Sequence, residues 1–493
     1  MIQIRLRKFM CLAMALALSA AVYIPASAAD VCAVVSTSRL QISYTSFTDA
    51  WKKAVELGDS SEVTFKLNKN WKANNSGSLG SGSGFKNGGL SYSGANNLTI
   101  DLNGCYIDRN LITPQDNGAV IFVNSTMTIK DSKSGTYTVS NLFKGGAIQN
   151  GASKDRGGGI VVGKNAKLNF NGGTILNCIS TDDGGAISAE ESGAVIKVNG
   201  GSFYGNRTYD SSGECCGGAI YASESTVTIS NAVFEGNYAE DNGGAIYVDD
   251  GKLTISSSSF YSNSSIEEGG AIFLDGDVKT SISDSVFSQN SSTDDDGGAV
   301  YCDSDDGTYF NDCKMYYNHS ASEGGAIHIN DDKVFVIGGD YQYNTASEYG
   351  GGIYVDSLND INAAGKLIIQ NNTVSGKASD LCLQDGKAST AYLYCGGFYE
   401  GSSIYLCSND TNSQLAIKNI DKFQYNNYIH FDSGFSQDKV NSQATSSNDV
   451  RAVASAFSSG NVIFICVCVV AIAVLAVLAV KIKRKKDNRK EAE

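Results

Sequence analysis

A pair of adjacent glycines recurs along the middle of the chain, each time followed by Ala or Gly and then by Ile or Val. The spacings between successive pairs are 27, 33, 26, 26, 28, 27 and 26 residues. A nearly constant period of this length is typical of a solenoid, in which each repeat forms one turn of the chain and contacts only its neighbours. The pairs begin at Gly157, Gly184, Gly217, Gly243, Gly269, Gly297, Gly324 and Gly350.

A second motif comes before most of the glycine pairs and consists of an aromatic residue or Met, two variable residues and Asn, at 203–206, 234–237, 260–263, 287–290, 315–318 and 341–344. Between the motifs, apolar residues alternate, as in Ile246 and Val248 or Leu253 and Ile255. Alternation predicts strands rather than helices, so we expect three short strands per turn, stacked strand on strand. The glycines fit positions with positive φ or close packing, and the Asn side chains can hydrogen-bond adjacent turns.

Together the two motifs resemble the repeat of the chlamydial polymorphic membrane proteins and of related bacterial surface β-helix proteins. The resemblance covers residues 145–355. It implies an all-β, right-handed parallel β-helix and an adhesin-like role at the cell surface. Those relatives are autotransporters, whereas this chain ends in one apolar segment and a basic tail.

Both ends of the chain have the composition of membrane-targeting segments. Basic residues, an apolar run over 9–24 and a small-residue site at 26–28 predict a secretory signal. Val462 begins an unbroken apolar stretch of 19 residues that ends at Val480, and seven basic residues follow it. Such a stretch would span about 28 Å, close to a bilayer core. We therefore expect a single-pass cell-membrane protein with its N-terminus outside and a cytoplasmic C-terminus.

The remaining segments complete the predicted organisation. Ser46 starts a pattern typical of a capped amphipathic helix that ends near Gly58, and we expect this helix to cap the open end of the solenoid. The division is a signal peptide at 1–28, an N-terminal segment with the capping helix at 29–62, a parallel β-helix at 63–410, a C-terminal cap at 411–434, a flexible stalk at 435–460, a transmembrane helix at 461–480 and a basic tail at 481–493.

Charge and cysteine content exclude some classes of partner. Without the two ends, the chain has 28 basic and 49 acidic residues, a net charge of about −21, which argues against nucleic acid. The same part contains ten of the thirteen cysteines, at positions 32, 105, 178, 215, 216, 302, 313, 382, 395 and 407. This even number permits disulfides, but it is far below the density of a disulfide scaffold, and no zinc motif is present. We expect no cofactor.

A catalytic role has to be weighed, because polysaccharide lyases and glycosidases also use the β-helix. Those reactions need carboxylates at a defined separation, or acids that bind calcium beside a basic residue. The adjacent acidic pairs Asp182-Asp183, Asp249-Asp250, Asp305-Asp306 and Asp331-Asp332 point to opposite faces if they lie on strands. The histidines 319, 328 and 430 form no recognisable constellation with the acids and are interpreted as surface strand or turn residues. We predict no catalytic residues.

Acidic residues come just before the glycine pairs, so stacking of the turns would align carboxylates about 5 Å apart along one edge. Like charges at that distance repel by roughly 1 kcal/mol in water. Either solvent absorbs this repulsion, as at an ordinary surface turn, or calcium binds between turns. The residues concerned are Asp182, Asp183, Asp241, Glu267, Glu268, Asp295, Asp296, Glu323 and Glu348.

The sequence thus favours a membrane-anchored, non-catalytic display protein whose solenoid contacts a glycan or protein surface outside the cell. The alternative is a polysaccharide lyase or glycoside hydrolase on the same scaffold. A purely structural spacer is a third possibility.

Overall fold

The computed structural model of the chain describes residues 30–133, 145–190, 192–210, 215–356, 359–386, 389–390, 392–408, 415–418, 427–431 and 440–443. The predicted signal peptide, transmembrane helix and basic tail lie outside the described residues, as does all of the predicted stalk except 440–443. Within the described part, no helix has the length and apolar character needed to cross a membrane.

The described chain is a parallel β-solenoid with four short strand positions per turn. In one representative turn these positions are Ile246–Val248, Leu253–Ser256, Ser259–Tyr261 and Ser264–Ser265. Each position pairs in parallel with its counterpart in the next turn, and we name the resulting stacks the first, second, third and fourth ladders. The fourth ladder was not among the three strands predicted per turn. Its strands are two residues long and too short to show the apolar alternation on which that prediction depended.

Several strands run through more than one ladder without a break: Val195–Tyr204, Ile220–Glu235, Ile246–Ser256, Ile272–Ser283, Val300–Asn311, Ile327–Gln342 and Asp360–Gln370. The first ladder also contains Gly89–Tyr92, Ile121–Val123, Ile160–Val162, Ile187–Ala189, Ile353–Val355 and Leu381–Leu383. The second also contains Val63–Leu67, Leu98–Asp101, Thr126–Lys130, Lys167–Asn171, Tyr392–Phe398, Leu415–Lys418 and Val440–Gln443.

The third ladder also contains Trp71–Lys72, Tyr106–Asp108, Ala147–Gln149, Thr174–Leu176, Ser259–Tyr261, Val286–Ser288, Lys314–Tyr316, Ser403–Ser408 and Ile429–Phe431. The second half of Ser403–Ser408 also pairs with Leu381–Leu383 of the first ladder. The fourth consists of Ala152–Ser153, Ile179–Ser180, Arg207–Thr208, Tyr238–Ala239, Ser264–Ser265, Ser291–Ser292, His319–Ser320, Thr345–Ala346 and Thr373–Val374, with Lys377–Ala378 added antiparallel. Short antiparallel hairpins join Phe85–Lys86 to Gly89–Tyr92 and Asp385–Gly386 to Ser389–Thr390.

A helix at Phe47–Gly58 precedes the first parallel strands, where the sequence predicted one. Ser46 is its N-cap and accepts a hydrogen bond from the backbone N–H of Asp49. The buried face packs against the start of the solenoid, because Phe47 stacks on Trp71 with ring centroids 4.9 Å apart. Two preceding strands, Ala33–Ser36 and Gln41–Tyr44, form an antiparallel hairpin, and the first of them pairs antiparallel with Val63–Leu67.

The interior consists of columns of equivalent side chains. One column of the first ladder is apolar in every paired turn: Leu90, Ile121, Ile160, Ile187, Ile220, Ile246, Ile272, Val300, Ile327, Ile353, Leu381 and Leu406. All of them are fully buried. In the third ladder, Phe203, Phe234, Phe260 and Phe287 stack with centroids 4.5 to 4.8 Å apart. Burial of one such side chain contributes about 1.5–3 kcal/mol, so every turn added to the columns stabilises the solenoid.

The two glycines of each pair have different roles, both of which were predicted. The first has a left-handed backbone, with φ +66° at Gly243 and +64° at Gly269. The second packs against the next turn, since a Cβ added at Gly244 would lie 2.3 Å from the carbonyl oxygen of Gly270. Neither position accepts a side chain without strain.

The recurrent asparagines form a buried hydrogen-bonded ladder through Asn206, Asn237, Asn263, Asn290, Asn318, Asn344 and Asn372. The Nδ2 of Asn263 donates to Oδ1 of Asn290 at 2.9 Å, and the backbone N–H of Asn263 donates to the same oxygen at 3.1 Å. Its second Nδ2 hydrogen reaches the carbonyl of Phe234. The expected bonding between adjacent turns is confirmed, and each amide inside the ladder has all its donors satisfied.

No disulfide joins any of the ten cysteines within the described ranges. Several are fully buried in the solenoid, and burial raises the pKa of the Cys178 and Cys313 thiols to about 12. These thiols behave as small apolar side chains.

Replacement of Asn290 by Ala should destabilise the solenoid strongly. It would remove the acceptor of the backbone N–H and of one Nδ2 hydrogen of Asn263, and it would remove the side-chain donor to the carbonyl of Phe260, all in a buried region. We expect a loss of about 3–5 kcal/mol, because each unsatisfied buried group costs about 1–3 kcal/mol. Urea unfolding of the full chain measures the change.

The matched control is Asn199→Ala, which removes an exposed Asn–Asn hydrogen bond of 2.8 Å to Asn171. Its effect should stay below about 1 kcal/mol. An equal loss of unfolding free energy in the two variants would show that the buried asparagine ladder contributes no more to stability than an exposed hydrogen bond.

Candidate functional site

The acidic residues predicted to form one edge lie in two adjacent columns. The residue immediately before each glycine pair from Gly184 onward accepts, through its backbone carbonyl, a hydrogen bond from the first glycine of the preceding turn. We call the acids at this position the inner acidic column: Asp183, Glu268, Asp296 and Glu323. Arg156, Cys216, Asn242 and Tyr349 occupy the same column in the other turns. One residue earlier lies the outer acidic column: Asp182, Asp241, Glu267, Asp295 and Glu348. All nine predicted residues are thus on one edge, but two non-acidic turns interrupt the inner column.

Beneath the inner acidic column lies a stack of rings on the outward side of the first ladder. We call it the aromatic stripe, and its members are Tyr221, Tyr247, Phe273, Tyr301, His328 and Tyr354. The ring centroids of Tyr247 and Phe273 are 5.1 Å apart and nearly parallel, as are those of Phe273 and Tyr301. The ring faces are therefore covered by each other. A sugar ring therefore cannot stack on Tyr247 or Phe273, each of which has a ring on both faces. The hydroxyl of Tyr247 donates to Oδ2 of Asp275 at 2.6 Å.

Burial changes the acid–base properties of this edge. It raises the pKa of Asp183 to about 7, and the charge of Asp182 adds to the effect. The pKa values of Asp241 and Glu268 are also raised to about 7, mainly by burial, with contributions from Glu267 and Asp295 respectively. These three carboxyl groups are therefore partly protonated near neutral pH, unless a bound metal cation takes the place of the protons. Calcium binding between turns stays a prediction.

His328 contradicts the interpretation of the histidines as surface residues. Its side chain is 2% exposed, because it lies in the aromatic stripe between Tyr301 and Tyr354. Nδ1 lies 3.2 Å from Oδ2 of Asp296 and Nε2 lies 3.2 Å from Oδ2 of Asp356. Burial alone would lower the pKa of His328, but these two carboxylates raise it to about 9. His319, in contrast, is an exposed strand residue as predicted.

Arg156 also lies among acids, although the sequence shows no such constellation. Its Nε is 3.2 Å from Oδ2 of Asp182 and 3.8 Å from Oδ2 of Asp183, and its guanidinium also contacts Glu190. The group borders a cleft of about 330 Å³ lined by Lys86, Asn117, Phe122, Asp155, Arg156, Val161 and Asp182. Basic, acidic and apolar side chains thus line this cleft together.

A third feature is an exposed pair of tyrosines at the corner before the asparagine ladder. Tyr317 is 59% and Tyr343 46% exposed, and their rings stack 5.3 Å apart. Both have left-handed backbones, with φ of 58° and 59°. Other turns fill this corner with smaller or more flexible residues, namely Asn177, Gly205, Gly236, Ser262, Gln289 and Asn371. A bulky residue there costs about 1–2 kcal/mol of backbone strain.

Sequence reasoning missed this tyrosine pair, although a signal was present. The position before the motif Asn is Gly in two turns, which indicates a left-handed corner, and Tyr there conflicts with the conformation. A local conflict of this kind is expected at functional positions.

Comparison with known proteins supports the interpretation of the repeat. Residues 231–249 and 284–303 match the Chlamydia polymorphic membrane protein repeat. The chain contains this repeat. Each matched segment includes one aromatic-x-x-Asn motif and one glycine pair, so the resemblance inferred from the sequence is confirmed. The repeat and the β-solenoid fit a surface protein of the autotransporter-like kind. Among curated proteins and solved structures, no significant match to the chain is found.

The protonated edge predicts a stability that falls as the pH rises. The pKa values of Asp183, Asp241 and Glu268 are near 7 in the folded chain but near 4 in an unfolded one. Between those values the folded state holds more protons, so raising the pH removes stability. In EDTA, the thermal unfolding midpoint of the full chain should fall by several degrees from about pH 5 to about pH 8.

The double variant Asp241→Asn/Glu268→Gln removes two of the titrating groups and should flatten this pH dependence. A midpoint that rises with pH in the parent chain would contradict the assignment.

If calcium binds along the edge, millimolar Ca²⁺ should raise the unfolding midpoint at neutral pH, since weak extracellular calcium sites bind in the range of about 10⁻⁴–10⁻³ M. Calorimetric titration of the full chain measures the binding directly. No heat of binding at millimolar Ca²⁺ would refute the prediction.

Proposed function

We propose that the protein is a membrane-anchored, non-catalytic cell-surface protein whose solenoid binds an extracellular glycan or protein surface. The single observation that carries this proposal is the exposed Tyr317–Tyr343 pair. Large aromatic side chains at solvent-exposed positions provide contact area with little loss of conformational entropy on binding. Here they are retained at two corners where the backbone disfavours them.

The architecture supports the same role. A stack of turns held together by columns of side chains forms a rigid rod. A rod anchored at one end would hold its exposed corners away from the membrane. We infer that the helix at Phe47–Gly58 caps the N-terminal end and that the apolar segment 462–480 anchors the other end in the cell membrane. The polymorphic membrane protein repeat is not associated with an enzyme family, which is consistent with binding.

The alternative is polysaccharide cleavage, by a lyase or a glycoside hydrolase, and the Arg156 cleft is the observation that favours it. An arginine beside several carboxylates is compatible with binding and deprotonating an acidic sugar. Its Nε is within 4 Å of both Asp182 and Asp183, so its charge is largely used in holding these acids together. We therefore place binding before cleavage.

The test is an array of glycans and extracellular proteins probed with the full chain in detergent, followed by the double variant Tyr317→Asn/Tyr343→Asn. Asn adopts the left-handed conformation readily, as Asn371 does in the equivalent corner. The variant should therefore keep its stability within about 1 kcal/mol and lose at least tenfold in retention on the array.

Tyr399→Asn is the control, because Tyr399 is 60% exposed elsewhere on the solenoid. It should retain binding. Retention unchanged in the double variant would reject the tyrosine pair as the contact site. Release of new reducing or unsaturated ends from a polysaccharide would favour the enzyme instead.

A further inference from the structure

His328 stands out within the aromatic stripe because it is the member with two ring nitrogens. Equivalent positions in neighbouring turns hold Tyr301 and Tyr354, whose rings contact the imidazole at centroid distances of 4.8 and 5.2 Å. The imidazole is tilted by 38° against the ring of Tyr301 and meets the ring of Tyr354 edge-on, at 69°. The imidazole also places Nδ1 near Asp296 and Nε2 near Asp356.

One of these nitrogens lacks a hydrogen bond. Nε2 has Oδ2 of Asp356 as its partner at 3.2 Å. Nδ1 is buried and makes no hydrogen bond, although Oδ2 of Asp296 lies 3.2 Å away, outside hydrogen-bonding alignment. A buried nitrogen aimed at acids without a hydrogen bond needs an explanation.

A third ligand group lies beside these two. One atom each from Asp296, Glu323 and His328 lies within 4.8 Å of the others. Around an ion with bonds of about 2.1 Å, tetrahedral ligand atoms are about 3.4 Å apart. The side chains would therefore have to close by at most about 1.4 Å, through χ rotations of Asp296 and Glu323.

We propose that His328 Nδ1, Asp296 and Glu323 bind a divalent transition-metal ion of the zinc type. Asp356 then has the supporting role that carboxylates commonly play at metal-bound histidines, since it accepts the Nε2 hydrogen and fixes the tautomer and ring orientation. The ion would join two successive turns, because Asp296 precedes the glycine pair of one turn and the other two ligands belong to the next.

The ligand set distinguishes this ion from calcium. Calcium takes six to eight oxygen ligands, whereas an imidazole nitrogen with carboxylate oxygens suits zinc, cobalt or manganese. Asp296, Glu323 and Asp356 together supply three carboxylates around one imidazole. This excess negative charge favours a dication.

The test uses the full chain in detergent, stripped with EDTA and titrated with Zn²⁺ by calorimetry and with Co²⁺ by visible absorption. We expect a site of micromolar affinity or tighter, a d–d absorption band typical of four- or five-coordinate Co²⁺, and no displacement by millimolar Ca²⁺. His328→Phe keeps a ring in the stack, as Phe273 does in its turn, and should lose this site and the band.

Glu323→Gln separates a metal site from a buried ion pair. It leaves the contacts of His328 with Asp296 and Asp356 in place but removes one proposed ligand. Zn²⁺ affinity should fall at least about tenfold. Its matched control is Glu348→Gln, an exposed acid of the outer acidic column one turn further on, and the control for the histidine is His319→Phe at an exposed position. Both controls should bind like the parent.

Two results would overturn the proposal. One is the absence of Zn²⁺ and Co²⁺ binding in the parent chain, in which case His328 is a protonated partner of its two carboxylates. The other is unchanged affinity in a folded Glu323→Gln chain, which would place the ion elsewhere.

Discussion

The structure depends on hydrogen bonds between turns that are kept in strict register by the asparagine ladder. The Nδ2 of each Asn in the ladder donates to Oδ1 of the next Asn and to a carbonyl of the preceding turn, and its backbone N–H donates to the same Oδ1. A turn that slipped by one residue would therefore leave several buried groups unsatisfied. At the end of the ladder, Asn372 donates to Oδ1 of Asp380 at 2.7 Å. The last amide therefore also has an acceptor, and the buried polar chain ends at the carboxyl group of Asp380.

Because the register is strict, the residues at any one position of the repeat stack in a column of similar side chains. Inside, this is favourable: Ile lies on Ile and Phe on Phe, with rings parallel at van der Waals distance. Outside, the same rule places carboxylate near carboxylate. The raised pKa values of Asp183 and Glu268 reduce this repulsion, as do the guanidinium of Arg156 beside Asp183 and the contact of His328 with Asp296.

The sequence was sufficient to predict the features that depend on register. A short sequence pattern marks each of these features: the glycine pairs, the Asn motif, the Ile columns and the capped helix after Ser46. It was insufficient where neighbours in space are about 26 residues or more apart in the chain. His328 alternates like an outward residue of a strand, and only the position of the acidic columns shows that this outward side is covered. The Ser264–Ser265 strand was missed for a related reason, since its pairing comes from the turns around it and not from its own apolar pattern.

Side chains that differ from the rest of their column are the most informative about function. Stability alone would favour Gly or Asn at the corners occupied by Tyr317 and Tyr343, as at Gly205, Gly236 and Asn371 in other turns. Likewise, a sixth tyrosine or phenylalanine would complete the aromatic stripe without placing a nitrogen next to Asp296. A solenoid can carry such exceptions because the columns on either side hold the turn in place. The regular turns thus provide the rigidity, and a few irregular side chains provide the chemistry available for recognition.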